Sequence, residues 1–144
     1  MKASFAEVLA RETATLSSVA DVAGLKRWRG ELVDLATNPE TAYARVLRPT
    51  GDPQERAVFL DSWRDLIAAA LGRVVAGNPT EHASTDARQM AVSVLAALYG
   101  GTILSRVARE PAPLRTSVEL ALAPLLLPSD TPAGQGEKTG PSVP

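Results

Sequence analysis

Residues 86–127 read DARQMAVSVLAALYGGTILSRVAREPAPLRTSVELALAPLLL, and this stretch decides the fold. It divides into two helices at a corner marked by Pro111 and Pro113. The first has no charged residue between Met90 and Ser105 and contains a Gly100-Gly101 pair. The second carries leucines nearly all the way round and contains Pro124, which is expected to kink or fray its final turn. Two helices of a small bundle need only one apolar stripe each to close a core. The surplus points to a helical interface with a partner, a second copy of the chain being the simplest. Mid-helix glycines are costly unless the missing side chains are used. Close helix approach would use them, either across a dimer axis or against the last helix.

Upstream, the same 3.6-residue period recurs. Phe5, Val8, Leu9 and Leu16 lie on one side of a helix over 3–15, interrupted by Glu7, Arg11 and Glu12. Ser17 and Ser18 follow as candidate capping residues. Val22, Leu25, Trp28, Leu32 and Leu35 repeat along a helix over 21–36, which Asn38-Pro39 ends. Residues 40–47 leave room for a short helix with Tyr43, Val46 and Leu47. Asp52 as N-cap, Pro53 at N1 and Glu55 at N3 start a long helix over 53–76, whose apolar residues (Phe59, Trp63, Leu66, Ala70 and Val74, widened by Leu60, Ile67 and Leu71) cover more than one neighbour requires. Residues 80–85 form a polar loop with His82, and Asp86 caps the next helix. No stretch alternates as a strand would. The fold class is all-α, a bundle of about six helices over 1–127. Residues 128–144, PSDTPAGQGEKTGPSVP, are expected to be a disordered tail.

Composition narrows the function. With 144 residues the chain is long enough for one domain with a sizeable core. The absence of cysteine excludes disulfides, thiolate catalysis and Cys-based zinc sites. A formal net charge of −1 argues against a broad phosphate-binding surface. No basic-then-apolar leader is present, and the uncharged run is shorter than the roughly 20 residues a bilayer span needs. A cytoplasmic protein without membrane contact is expected. Catalytic and metal sites are expected to be absent: the single histidine, His82, lies in a polar loop, and no His or Glu pair has metal-ligand spacing. No cofactor motif is present. Asp61, Arg64 and Asp65 read as a solvated face. Residues 17–25 lack a complete first helix and turn before Gly24, so DNA reading by this segment is not expected.

Aromatics make up only 4% of the chain, so their positions carry weight. Trp28, Tyr43, Phe59, Trp63 and Tyr99 come from four different predicted helices. They either fill the core or surround a ligand cavity, with Tyr43, Tyr99 and Arg45 or Arg48 as polar handles. Two tryptophans and two tyrosines each bring a hydrogen-bonding group that needs a partner.

From Asp52 onward the chain resembles the C-terminal regulatory domain of the tetracycline-repressor (TetR) family. The resemblance lies in Arg56, Phe59-Leu60, Trp63-Arg64 and Ile67, then in Asp86-Ala87, Ala91 and Leu95 through Gly101, then in Arg109 through Arg115 with Ala121-Leu122. Residues 2–9 resemble the start of the family's linking helix. The chain departs from the family in lacking the N-terminal helix-turn-helix domain and a Gly-Cys pair near residues 39–47. The resemblance implies a homodimer in which the last two helices pair with their copies, with Leu95, Leu98, Gly101, Leu114, Val118, Leu122 and Leu125 as candidates. It also implies a pocket for a small apolar effector at Trp28, Phe59, Trp63, Leu66, Val94 and Tyr99, beside Tyr43. DNA contact is expected only through a missing N-terminal domain or a full-length partner. The alternative is a stand-alone helical module that heterodimerises with a homologue or another protein and takes no effector.

Overall fold

The computed structural model describes residues 2–127, and all regular structure in them is helical. The tail expected over 128–144 lies outside the described residues. Six helices follow in order: α1 (Ala3–Leu16), α2 (Val22–Thr37), α3 (Ala42–Val46), α4 (Pro53–Gly77), α5 (Ala87–Ala108) and α6 (Ala112–Leu126).

Local signals set most boundaries. Asp52 accepts from the Gln54 amide with Pro53 in the first turn, and Asp86 accepts from the amides of Arg88 and Gln89. Each satisfies donors that the first helical turn leaves free. At the start of α2 the cap is Asp21, whose side chain accepts from the Gly24 amide at 2.8 Å. Ser17 and Ser18, expected as caps, instead donate back to the carbonyls of Ala14 and Thr15. A serine at a helix C-terminus finds free carbonyls closer than the next helix's amides. Pro124 sits in the last turn of α6 without ending it: the Leu127 amide still reaches the Ala123 carbonyl at 3.0 Å.

The bundle is built around α4 and α5. α4 packs against α1 and α5, α5 against α6, and α2 spans α6 and α3. Phe59, Trp63, Ile67, Ala70, Leu71 and Val74 are buried along α4. Arg73 bonds the carbonyls of Leu16 and Val19, fixing α4 to the α1–α2 turn. Arg56 does the same at the other end. It bonds the carbonyls of Val46, Arg48 and Thr50 and the Tyr99 hydroxyl, with its guanidinium 5.3 Å from the Phe5 ring centroid.

The α5–α6 contact is unusually close. A Cβ on Gly101 would lie 2.8 Å from Leu114 Cα, so only glycine permits this approach. Of the two uses open to the glycine pair, Gly101 serves internal packing. Gly100 is exposed, with open space where its side chain would be. The turn between the helices runs through Arg109, the one non-glycine described residue with positive φ (60°). Its left-handed cap returns the Glu110 amide to the Ser105 carbonyl at 3.1 Å.

His82 differs from expectation. It is buried, in a turn where its amide bonds the Asn78 carbonyl and its carbonyl accepts from Thr85.

Candidate functional site

Four helices converge on one carboxylate. α1 carries Glu12 into the core on the same stripe as Phe5, Val8 and Leu16, leaving it 2% exposed. Trp63 of α4 donates its indole N–H to Glu12 Oε1 at 2.8 Å. Trp28 of α2 donates to the same carboxylate, 3.2 Å from Oε1 and 3.4 Å from Oε2. Tyr43 of α3 donates its hydroxyl to Oε2 at 2.7 Å. Both indoles and one of the two phenols thus find their partner in an acid that interrupts the apolar residues of α1.

The electrostatics follow from burial. Loss of hydration raises the Glu12 pKa, while the Tyr43, Trp63 and Trp28 hydrogen bonds pull it back down. Burial, reinforced by the Glu12 charge, pushes the Tyr43 phenol up. All three donors are neutral, so the carboxylate is satisfied without an ion pair.

The remaining predicted pocket residues belong to or pack against the same hydrophobic core. Phe59 stacks on Phe5 with ring centroids 4.4 Å apart and leans on Trp63 at 5.4 Å. Tyr43 meets Trp63 edge-on at 6.1 Å. Val94 is fully buried, and Leu66 is half-buried against the same core. Tyr99 belongs to a neighbouring group: its hydroxyl donates to the Val46 carbonyl at 2.8 Å and accepts from Arg56 at 2.7 Å. Burial raises its pKa, partly offset by Arg56. Arg45, a possible handle, bonds the Ser4 hydroxyl at the surface.

The predicted pairing residues fall on the inner side of α5 and α6. Leu98, Gly101, Leu114, Val118, Leu122 and Leu125 are buried within the chain, and Leu95 is half-buried. The outer side of the same helices carries a second apolar set. Val92, Ile103, Leu104 and Val107 of α5, Leu120 of α6 and Leu127 just past its end are exposed, Val107 by 78% and Leu120 by 69%. Among the described residues, Val58 is the only other large hydrophobic residue this exposed. Val92, Ala96, Gly100, Ile103 and Val107 recur every three to four residues, which puts them on one face.

A cavity of about 460 Å³ opens where α2 and α3 meet the α5–α6 corner. Arg48, Thr102, Arg106 and Arg109 line it together with Ala44 and Leu114. By sequence Arg48 is a possible handle, Leu114 a pairing residue and Arg109 part of the family resemblance; Ala44, Thr102 and Arg106 carry no signal in the sequence. Among the described residues, no three His, Cys, Asp or Glu side chains come together as a metal site would require. The Asp61–Arg64–Asp65 group forms ion pairs of 3.1 and 2.9 Å, with both acids well exposed.

Residues 53–119 match the family of transcriptional regulators described as LmrA/YxaF-like, C-terminal domain. The match begins at the first residue of α4, covers α5 and ends within α6. Over these residues the chain carries a TetR-family C-terminal domain. Comparison with curated proteins and with solved structures gives no match.

Proposed function

We propose that this chain, with its TetR-family C-terminal domain over residues 53–119, acts as a regulatory module that pairs with a second copy of itself and binds a small organic effector. The observation that carries the pairing is the outer face of α5 and α6. Five large hydrophobic side chains are exposed there, on the two helices that the family resemblance assigns to dimerisation, and Leu127 just past α6 adds a sixth. Such a surface is costly in water and is relieved by a self-complementary contact. By length and hydropathy α5 would also suffice to cross a bilayer. Its inner face is packed against α4 and α6, and a soluble, cytoplasmic dimer uses the outer face more simply.

Effector binding needs space. The aromatic group around Glu12 is packed, with its donors already engaged, whereas the cavity at the α5–α6 corner is open. We therefore assign the effector to that corner. A ligand there touches α2, α3 and both pairing helices, so it can change their relative positions and thereby the geometry of the dimer. DNA contact is not assigned to the described helices. Residues 17–25 lead straight into α2 through the Asp21 cap, leaving no turn between two reading helices. No catalytic role is assigned either, since Glu12 is enclosed by neutral donors.

Light scattering on the purified chain tests the pairing. A mass about twice 15.1 kDa is expected. The Ile103→Asp, Leu120→Asp double variant should be monomeric with unchanged helix content. A monomeric parent chain would overturn the proposal and favour a different protein as the partner of this face.

A further inference from the structure

The corner cavity has a chemical character that the family match does not specify. Thr102 and Arg106 follow at i and i+4 on α5, so one helix face brings both residues to the cavity wall, and Arg109, the left-handed cap just past the helix, adds a second guanidinium to the lining. Arg48, from the turn after α3, adds a third guanidinium. Among the described residues none of the three arginines forms an ion pair, and Arg106 makes only a long 3.4 Å bond to the Ala44 carbonyl. Glu110 is the one acid on the lining. The site thus has a net positive charge beside an apolar wall that includes Ala44, Pro39 and Leu114.

Thr102 gives independent support for a ligand. It is 4% exposed, and its hydroxyl has no hydrogen-bond partner. A buried hydroxyl without a partner costs about 1–3 kcal/mol, so a polar atom of a ligand would relieve it. Arg106 and Arg109 also offset the carbonyl end of the α5 dipole. That role does not account for Arg48, which is not on this helix, or for the unpartnered hydroxyl. Nor does it account for the left-handed backbone at Arg109, a position where glycine would be unstrained.

We infer that the cavity between α3 and the α5–α6 corner binds an amphipathic organic carboxylate. Its anionic head pairs with Arg48, Arg106 and Arg109, a buried polar atom reaches Thr102, and its apolar body lies against Ala44 and Leu114. Arginine suits this task because its planar fork matches a carboxylate with two parallel hydrogen bonds. The inference rests on reading the chain as an effector-binding domain, and it specifies the effector's chemical class.

Isothermal titration of the full chain with octanoate, octan-1-ol and octylammonium tests it, because the three share a tail and differ in head charge. Octanoate should bind with 1:1 stoichiometry, and the other two should bind at least about tenfold more weakly, the scale of a charge-assisted bond. The Arg106→Gln, Arg109→Gln double variant changes exposed side chains and should weaken octanoate about tenfold or more while leaving octanol unchanged. Thr37→Trp, from an exposed residue on the cavity wall, should block octanoate by filling the space. Equal binding of octanoate and octanol, both lost in Thr37→Trp, would overturn the anionic assignment and leave an effector site. Octanoate binding undiminished in the arginine variant would overturn the location of its head. No binding of any of the three would overturn both this inference and the effector-binding reading, while the dimer mass would still report on pairing.

Discussion

The hydroxyl of Tyr43 lies 2.7 Å from Oε2 of Glu12, joining α3 to the inner face of α1 across 31 residues of sequence. With the indoles of Trp28 and Trp63 on the same carboxylate, one acidic side chain ties four helices at a single point. An acid so placed must leave a trace in the pH dependence of stability. Burial raises the Glu12 pKa in the native state, so the folded chain holds this proton more tightly than the unfolded chain. Its stabilising contribution is then complete below the ordinary glutamate pKa and is lost as pH rises through the higher native value. Urea titrations at a series of pH values should show the stability of the parent chain relative to Glu12→Gln falling across that window and level above it. A relative stability that rises with pH there would mean that the three hydrogen bonds outweigh burial, reversing the expected sign.

The hydrogen bond itself is testable by deletion. Tyr43→Phe removes one oxygen and leaves the ring against Trp63, so it is cleaner than truncating either tryptophan. Hydrogen bonds to charged groups contribute about 1.5–3 kcal/mol, and Tyr43→Phe should cost that much at a pH above the native Glu12 value, where the carboxylate is ionised. In the Glu12→Gln background the same change should cost about 0.5–3 kcal/mol less, the usual range of coupling between groups in contact. Equal costs in the two backgrounds would show that the phenol acts independently of the carboxylate.

The sequence revealed the helices more readily than their inner and outer sides. Asp52-Pro53 and Asp86 mark helix starts because a short acidic side chain before an apolar period has one economical use, and the structure has both caps. Glu12 was legible in principle: Phe5, Val8, Glu12 and Leu16 are spaced as one buried stripe. An acid on such a stripe, in a chain whose tryptophans and tyrosines all need partners, points to a buried polar centre. By charge alone Glu12 is an interruption of that stripe. The pairing helices were harder because α6 carries leucines nearly all the way round, so periodicity cannot tell which stripe meets α5 and which faces outward. The contact of Gly101 with Leu114 orients the pair, and that contact exists only in three dimensions. The corner cavity had no local signature because Arg48 and Thr102 are 54 residues apart in numbering and meet only through packing.

The two adjacent glycines should therefore respond in opposite ways. In the monomeric Ile103→Asp, Leu120→Asp background, Gly100→Ala should stabilise α5 by up to about 1 kcal/mol, since the new methyl group meets nothing within 4 Å. Gly101→Ala places its methyl group 2.8 Å from the Leu114 backbone, so the helices must separate. Overpacking of this kind costs about 1–3 kcal/mol, and a loss in that range is expected from denaturant midpoints. Equal effects at both positions would mean that α5 and α6 are not held this closely.

A similar contrast separates core from interface on α6. Leu122 is fully buried, and Leu122→Ala should cost about 2–5 kcal/mol through the cavity it leaves, at every protein concentration. Leu120, two residues earlier, is 69% exposed, so Leu120→Ala should change monomer stability by no more than about 0.5 kcal/mol. Its effect should appear in assembly instead. A dimer's melting temperature rises with concentration because association favours the folded state. Leu120→Ala should flatten that rise and shift dissociation to higher concentration, while Leu122→Ala lowers the whole melting curve. If Leu120→Ala leaves the dissociation midpoint where it was, the outer face of α6 is not part of the pairing surface, and pairing must be sought on another face of the bundle.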